Sequence, residues 1–330
     1  MGEQAKASII IVNWNGRHYL PGCLSSLRTQ TFRNFEVILV DNGSTDGSVE
    51  LVQKQFPEVH VVSSPVNVGF AQGNNLGLQH ANGQYIALLN NDTEADPHWL
   101  EKLIRVLESS EEIAGASGTM HSLEQRTRVI FTLTKIDPLS AAAYWINQAS
   151  RQRDVDYLMG GGMVVRRSAI DRIGDLDGEY FAYYEETDWC ARAIRAGYRL
   201  VYVPTAVFYH KERGTAADTF QYFMMWRNRI RFALKNFDGS YLLLFPVFCA
   251  LDVGRHMVSN LHQSRNPFNL LILSAIWYNV ARLPAVFAAR RRDLGRIGQR
   301  RSYNRSLPLR GIKCDGKGGY QPPEGDESAV

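Results

Sequence analysis

The chain has 330 residues, 45% hydrophobic and 21% charged, with a formal net charge of +4. That composition supports a sizeable core and excludes a disordered chain, a collagen-like chain and a disulfide-stapled miniature. The length admits one large α/β domain with an appendage, or two ordinary domains.

The first apolar run, Ser8-Ile-Ile-Ile-Val12, is too short for a signal peptide and leads into polar Asn13-Trp14-Asn15. Its continuous β-branched character predicts a strand buried on both faces of a parallel sheet. Further strands are predicted at 35–40, 60–63 and 85–89, separated by helices near 17–30, 45–55, 70–82 and 96–109. This alternation predicts right-handed βαβ units and a doubly wound parallel sheet. Beyond it, short strands are predicted at 113–118, 127–133, 161–166 and 199–209, with a helix over 185–197 ended by Gly197. After 216 the texture changes. Segments 218–236, 241–262 and 268–290 mix apolar residues and Arg at helical spacing, and the Gly-, Pro- and acid-rich tail 316–330 is expected to be disordered. There is no internal repeat. Cys23, Cys190, Cys249 and Cys314 form no C-x-x-C pair, which suggests reduced thiols in a cytosolic compartment and no zinc site.

Charge is unevenly divided. Between Arg282 and Lys317 eleven Lys and Arg face two Asp, a local charge of +9 that leaves −5 for the rest. The segment follows two apolar stretches cut by Asp252 and Arg255, and by Asn279, Arg282 and Pro284, so neither is expected to span a membrane. Amphipathic helices lying in an anionic interface are the expectation, with Trp277 and Tyr278 at headgroup depth and Arg290–Arg292 on lipid; a helical subdomain with a solvated basic face is the alternative. The mixture Trp226-Arg-Asn-Arg-Ile-Arg-Phe232 lacks any nucleic-acid recognition module, so no nucleic-acid partner is expected.

Ligands of open parallel sheets bind beyond the carboxyl ends of the strands. Those positions hold Asn13–Gly16, Asp41–Gly47, Asn67–Ala71 with Gly73-Asn74-Asn75, and Asn90-Asn91-Asp92. Singly, each block could be turn or cap chemistry. Four such loops on one edge point to a nucleotide. No G-x-G-x-x-G follows the first strand and no G-x-x-x-x-G-K-[ST] occurs, which disfavours hydride transfer and a P-loop.

Taken in order with Gly160–Met163, Tyr184-Glu-Glu-Thr-Asp-Trp-Cys190 and His210, these blocks resemble the inverting family 2 glycosyltransferases of the GT-A fold, particularly their bacterial rhamnosyltransferase-like branch. The likeness runs from Ser8 to Asn236. It implies an α/β fold, a GT-A type Rossmann-like, mostly parallel sheet with a C-terminal helical extension. The catalytic domain would be 1–216, the helical, basic extension 217–315 and the tail 316–330. The implied reaction is metal-dependent inverting transfer of a sugar, rhamnose from dTDP-rhamnose being favoured. The acceptor would be a hydroxyl of a cell-surface glycan or a polyprenyl-diphosphate-linked acceptor, at the cytoplasmic face of a bacterial plasma membrane. A sugar nucleotidyltransferase, or a non-catalytic membrane-associated binding protein of the same fold, are the alternatives.

The resemblance also implies roles. Trp14 would stack on the base and Asp41 accept its N3–H, with Asn13, Asn67, Gly69 and Asn74 completing the nucleotide site. Asp92, with Asn90 and His210, would hold Mg²⁺ or Mn²⁺ against the diphosphate; Asp92 could instead cap a helix. Glu186 would be the general base, with Asp188 the next candidate, although Asp188 could simply pair with Arg192 at i,i+4. Glu185, Gly161 and Tyr184 would lie on the acceptor side, and Lys211 and Arg213 would close over the diphosphate.

Overall fold

The computed structural model describes residues 5–146, 150–212, 219–264, 266–298 and Tyr303. Arg213, the boundary at 216–217 and the tail 316–330 lie outside the described residues. The N-terminal half alternates strand and helix: β1 Ala7–Asn13, α1 Leu20–Arg28, β2 Phe35–Asn42, α2 Ser48–Gln55, β3 His60–Ser64, α3 Gly69–His80, β4 Tyr85–Leu89, β5 Thr93–Ala95 and α4 Trp99–Glu108. Next come β6 Ile113–Ser122, β7 Val129–Phe131, β8 Leu133–Ile136, β9 Ala143–Ile146, β10 Arg153–Asp154, β11 Gly162–Arg166, α5 Arg167–Ile173, α6 Glu185–Arg195 and β12 Arg199–His210. Four helices follow: α7 Thr219–Asn236, α8 Gly239–His262, α9 Asn266–Ala281 and α10 Leu283–Ile297.

The main sheet has the order β10-β12-β6-β11-β4-β1-β2-β3. Strands β3, β2, β1 and β4 are mutually parallel, as expected, whereas β11 runs antiparallel between β4 and β6. Alternate residues of β1 explain the two covered faces. Ile9 and Ile11 pack with Leu20, Leu24, Trp99 and Leu103, and Ile10 with Ala71, Ile170 and Trp189. In α4 the buried positions Trp99, Leu100, Leu103, Ile104 and Leu107 recur at the spacing of one helical face.

Two expectations change. The strand predicted at 127–133 is broken at Thr132: β7 joins the main sheet and β8 pairs with β9 in a separate hairpin. The helix predicted at 268–290 bends by 64° between α9 and α10, where Pro284 sits at the new N-terminus. Conversely, Pro246 lies inside α8 without ending it. Among the described residues α8 is the one helix long and apolar enough to cross a membrane by itself, with 17% of its most apolar stretch buried.

The basic C-terminal segment is partly structural. The Arg290 guanidinium donates to the carbonyls of Lys235 (2.8 Å) and Phe237 (2.6 Å) and pairs with Asp238 at 2.7 Å. It fastens α10 to the end of α7 and does not lie on a lipid surface.

Candidate active site

The carboxyl ends of β1 and β2 lie side by side because Asn13 and Asp41 are in register. Asn13 is fully buried; it donates to Ser44 Oγ (3.2 Å) and accepts from Asn91 Nδ2 (2.8 Å), so it braces two loops. Trp14 beside it is 56% exposed, an indole face free to stack. Asp41 is 4% exposed; its Oδ2 accepts from Ser44 N at 3.1 Å and its Oδ1 has no partner. A buried carboxylate oxygen without a donor is costly, and a ligand N–H would satisfy it.

The loop before α3 is locked by Asn42, whose amide donates to Asn67 Oδ1 (3.0 Å) and the Gly69 carbonyl (3.2 Å) and accepts from Val68 N (3.0 Å). Gly69 has φ +85°, and a Cβ there would come within 2.5 Å of Phe181, so only glycine fits. Asn67 and Gly69 therefore shape the loop. Asn74 does not face the cleft. It is 3% exposed, donates back to the Phe70 carbonyl at 2.9 Å and lines an apolar pocket with Ile10, Leu88 and Trp189. The i−4 hydrogen bond turns its amide into its own helix, which sequence spacing does not reveal.

Asp92 and His210 meet because β5 and β12 pair antiparallel, with His210 opposite Thr93. His210 Nδ1 lies 2.7 Å from the Lys211 carbonyl, which can only accept, so Nδ1 carries the proton of that bond. Nε2 then faces Asp92 Oδ1 and Asn90 Nδ2, each at 3.2 Å. Asp92 is 9% exposed and its Oδ1 has no hydrogen-bond donor. An imidazole nitrogen shared between the Asn90 amide and a buried carboxylate oxygen that accepts no hydrogen bond is an arrangement that a cation satisfies. One carboxylate oxygen and one imidazole suit Mg²⁺ or Mn²⁺ only if substrate phosphate and water complete the shell. Among the described residues no group of three or more His, Cys, Asp and Glu is assembled for a metal. Lys211 Nζ pairs with Glu124 at 3.0 Å.

The two residues just before β11 lie between this pair and α6. A Cβ on Gly161 would lie 3.0 Å from Asn90 Nδ2, and one on Gly160 would lie 3.5 Å from the Glu186 side chain. Consecutive Cα atoms are about 3.8 Å apart, so two adjacent glycines touch both halves of the site. Glu186 is half-buried at the start of α6. Burial raises its carboxyl above the usual 4.5, against the hydrogen bonds that favour its charge. A base gains its proton as pH falls through its own pKa. With Glu186 as the base that the family resemblance implies, the acid limb of a kcat/KM profile is therefore expected to have its midpoint above 4.5, and a pH–rate profile measures it.

The other acidic and aromatic positions are buried. Glu185 is 4% exposed with its Oε2 unpartnered, and burial followed by the neighbouring Glu186 charge pushes its carboxyl well above the usual range. Tyr184 is buried too; its hydroxyl donates to the Ala141 carbonyl (3.0 Å) and accepts from Ala143 N (3.1 Å), stitching the β8–β9 hairpin to α6. Asp188 is fully buried. Its Oδ1 accepts from Tyr180 OH (3.2 Å) and Asn236 Nδ2 (2.9 Å), and its Oδ2 from Arg192 Nε and Lys235 Nζ, both at 2.9 Å. No acceptor hydroxyl can reach it, so its role as second candidate base is set aside in favour of the pairing with Arg192.

The approach to α6 is strained. Phe181, Tyr183 and Tyr184 have φ of 64°, 69° and 70°, each costing roughly 1–3 kcal/mol and kept only where the surroundings impose it. Asn228 imposes it. Its single amide donates to the carbonyls of Tyr180 (3.0 Å), Ala182 (2.8 Å) and Tyr183 (2.6 Å), and Arg227 donates to those of Glu179 (2.9 Å) and Tyr180 (2.7 Å). Neither residue is singled out by sequence reading. The polar Arg227-Asn228 pair within an otherwise buried helical face was the available signal.

Residues 8–174 match the family described as glycosyl transferase family 2. The chain is 28% identical over 239 residues to an N-acetylglucosaminyl-diphospho-decaprenol L-rhamnosyltransferase of Mycobacterium tuberculosis, covering 64% of this chain and 78% of that protein. An uncharacterized glycosyltransferase of Haemophilus influenzae is 30% identical over 122 residues, 36% of this chain and 38% of its own. Among solved structures, GalNAc-T7 with UDP, GalNAc and Mn²⁺ superposes with TM-score 0.64 at 17% identity, covering 84% of this chain and 57% of that one. The mannosyltransferase PcManGT of Pyrobaculum calidifontis, in complex with GDP-Man and Mn²⁺, gives 0.54 at 15% identity over 92% of this chain and 85% of its own. These likenesses show the GT-A fold.

Proposed function

The chain belongs to glycosyl transferase family 2, and from that premise we propose that it transfers a sugar, with inversion, from a nucleoside diphosphate sugar to a hydroxyl of a lipid-linked or cell-surface glycan. The observation that carries the reading is the set of groups beyond the strand ends: partnerless Asp41 Oδ1 and Asp92 Oδ1, His210 at 3.2 Å from Asp92, and Gly160–Gly161 lying against Glu186 and Asn90. Asp41 accepts the pyrimidine imide N–H while Trp14 stacks on the ring. Asp92 and His210, with Asn90 alongside, would hold Mg²⁺ or Mn²⁺, which supplies charge neutralisation at the departing diphosphate. Glu186 takes the acceptor hydroxyl's proton as that oxygen bonds to the anomeric carbon from the face opposite the breaking carbon–oxygen bond to phosphate. The rhamnosyltransferase name of the mycobacterial relative supports rhamnose, from dTDP-rhamnose, as donor sugar. The same name supports a polyprenyl-diphosphate-linked acceptor. Such an acceptor places the work at the cytoplasmic face of a bacterial plasma membrane, with peripheral contact to anionic lipid. No observation at the site favours a nucleotidyltransferase or a non-catalytic protein.

A thermal-shift screen of dTDP-, UDP- and GDP-sugars, with and without Mn²⁺, tests the donor side, since a ligand at about 100 times its Kd stabilises by about 2.7 kcal/mol. Asp92→Asn is expected to abolish the Mn²⁺-dependent part of that shift. An Asp92→Asn protein shifting as the wild type does would remove Asp92 from the metal site.

A further inference from the structure

The polarity of α8 and α9 is reversed relative to helices on a soluble surface. Polar groups point inward. Asp252 pairs with Arg229 of α7 at 2.6 Å, Asn260 donates to Asn269 at 2.8 Å, and Asn279 donates to the Arg227 carbonyl at 2.9 Å. Apolar groups point outward at spacings of three or four residues. Leu243, Val247 and Leu251 on α8, and Leu273, Trp277 and Val280 on α9, are between 48% and 79% exposed. Exposed apolar surface on this scale marks an interaction site.

Charge identifies the occupant. Between 239 and 298 the only carboxylates are Asp252 and Asp293. Both are turned toward Arg and Lys partners, with side chains 11% and 15% exposed. Arg255, Arg282, Arg291 and Arg292 are exposed on the same segment, Arg255 beside Asp252, Arg282 beside Glu179 and Arg292 beside Asp293. An apolar surface on a segment that carries exposed arginines and whose own two carboxylates are turned inward complements anionic headgroups over acyl chains. A second copy of the chain would bring the same arginines against one another.

Deepening the membrane contact proposed above, we infer that the outer faces of α8 and α9 embed together in one leaflet of an anionic bilayer, lying in its plane. With 24 residues α8 is about 36 Å long, enough to cross a hydrocarbon core of about 30 Å. Its middle, however, is tied through Asp252–Arg229 to α7, a helix held to the catalytic domain by Asn228 and Lys235. Crossing would draw that ion pair into hydrocarbon, whereas lying flat keeps it on the protein side. The arrangement serves the reaction. From α9, Asn279 holds the Arg227 carbonyl, and Arg227 and Asn228 hold the strained backbone leading to Glu186. Two packed helices, α9 and then α7, whose axes would lie about 8–10 Å apart, thus connect the lipid face to that loop.

The test is flotation of the full chain with vesicles of phosphatidylcholine, with and without phosphatidylglycerol. Wild type is expected to float with the anionic vesicles. Leu251→Asp with Trp277→Asp should lower the partition coefficient at least about ten-fold. Arg291→Glu with Arg292→Glu should weaken binding and flatten its salt dependence. Brominated acyl chains should quench wild-type fluorescence more than that of Trp277→Phe, reporting that indole in the leaflet. Unchanged thermal unfolding and nucleotide shifts in the variants show that they are folded. The inference is overturned if wild type does not float, if the Leu251/Trp277 variant floats equally well, or if Trp277 is not quenched. It is also overturned if the wild type is a lipid-independent dimer that this variant makes monomeric. No donor or acceptor enters the assay, so its failure leaves the transferase reading standing, and loss of turnover leaves this one standing.

Discussion

Glu186→Gln is expected to lower kcat for sugar transfer by about 10²–10⁴-fold, the range a positioned general base supplies, while nucleotide-sugar binding and unfolding temperature stay close to wild type. The substitution keeps the shape of the side chain and removes its capacity to take a proton. Its environment argues for that clean separation. Glu186 is half-buried, lies against Gly160 and beside the Glu185 carboxyl, and pairs with no cation among the described residues, so neutralising it leaves no buried cation without a partner. Glu186→Asp retains the carboxylate but withdraws it by one methylene, and should recover part of the rate. Single-turnover transfer to a water-soluble acceptor is the measurement. Wild-type kcat in Glu186→Gln would remove the base assignment.

Much of this was legible in the chain. The β-branched runs at 8–12, 35–40 and 85–89 predict buried parallel strands because a strand covered on both faces has no polar side to display, and β1, β2 and β4 are those strands. Asp41 and Asp92 were readable for a related reason: a carboxylate just beyond such a strand has little to do in packing, and each keeps an oxygen without a donor. What the sequence leaves open is direction around a helix. Glu186 and Asp188 share the first turn of α6, yet two residues are about 200° of rotation, so one faces the cleft and the other the interior. The chain carries two readings of Asp188, base or partner of Arg192. Lys235 and Asn236, 47 and 48 residues away, decide between them. The surroundings of Tyr184 and Asn74 were hidden for the same reason: their hydrogen-bond partners are backbone groups, and Tyr184's, more than forty residues away, are brought near only by the assembled fold. The basic tail misleads in another way, since composition cannot tell Arg290, spent on carbonyls at the end of α7, from exposed Arg291 and Arg292.

Asp188→Asn is expected to give the opposite phenotype to Glu186→Gln, though it makes the same chemical change two residues along. Asp188 sits at the centre of a buried ion network. Lys235 Nζ lies 2.9 Å from Asp188 and 2.8 Å from both Asp177 and Asp293, and Arg231 reaches Asp177 at 2.9 Å. Burial alone would raise the Asp188 carboxyl, but Lys235 and Arg192 hold it below the usual 3.8. Removing one partner of a buried pair leaves the other charge uncompensated, at a cost of about 3–5 kcal/mol. In a chain of this size that lowers Tm by roughly 4–7 °C. The sign with pH follows from the depressed carboxyl: its stabilisation is present above 3.8 and is lost as pH falls through the folded value. Acid destabilisation should therefore be steeper in wild type than in Asp188→Asn. Below the lowered Tm, the folded variant should keep kcat within a few-fold, because Asp188 touches no substrate. Lys235→Gln should destabilise similarly, and the double variant by less than the two costs combined, since the partners share one interaction. An Asp188→Asn protein with wild-type Tm and the turnover loss expected of Glu186→Gln would transfer the base role to Asp188.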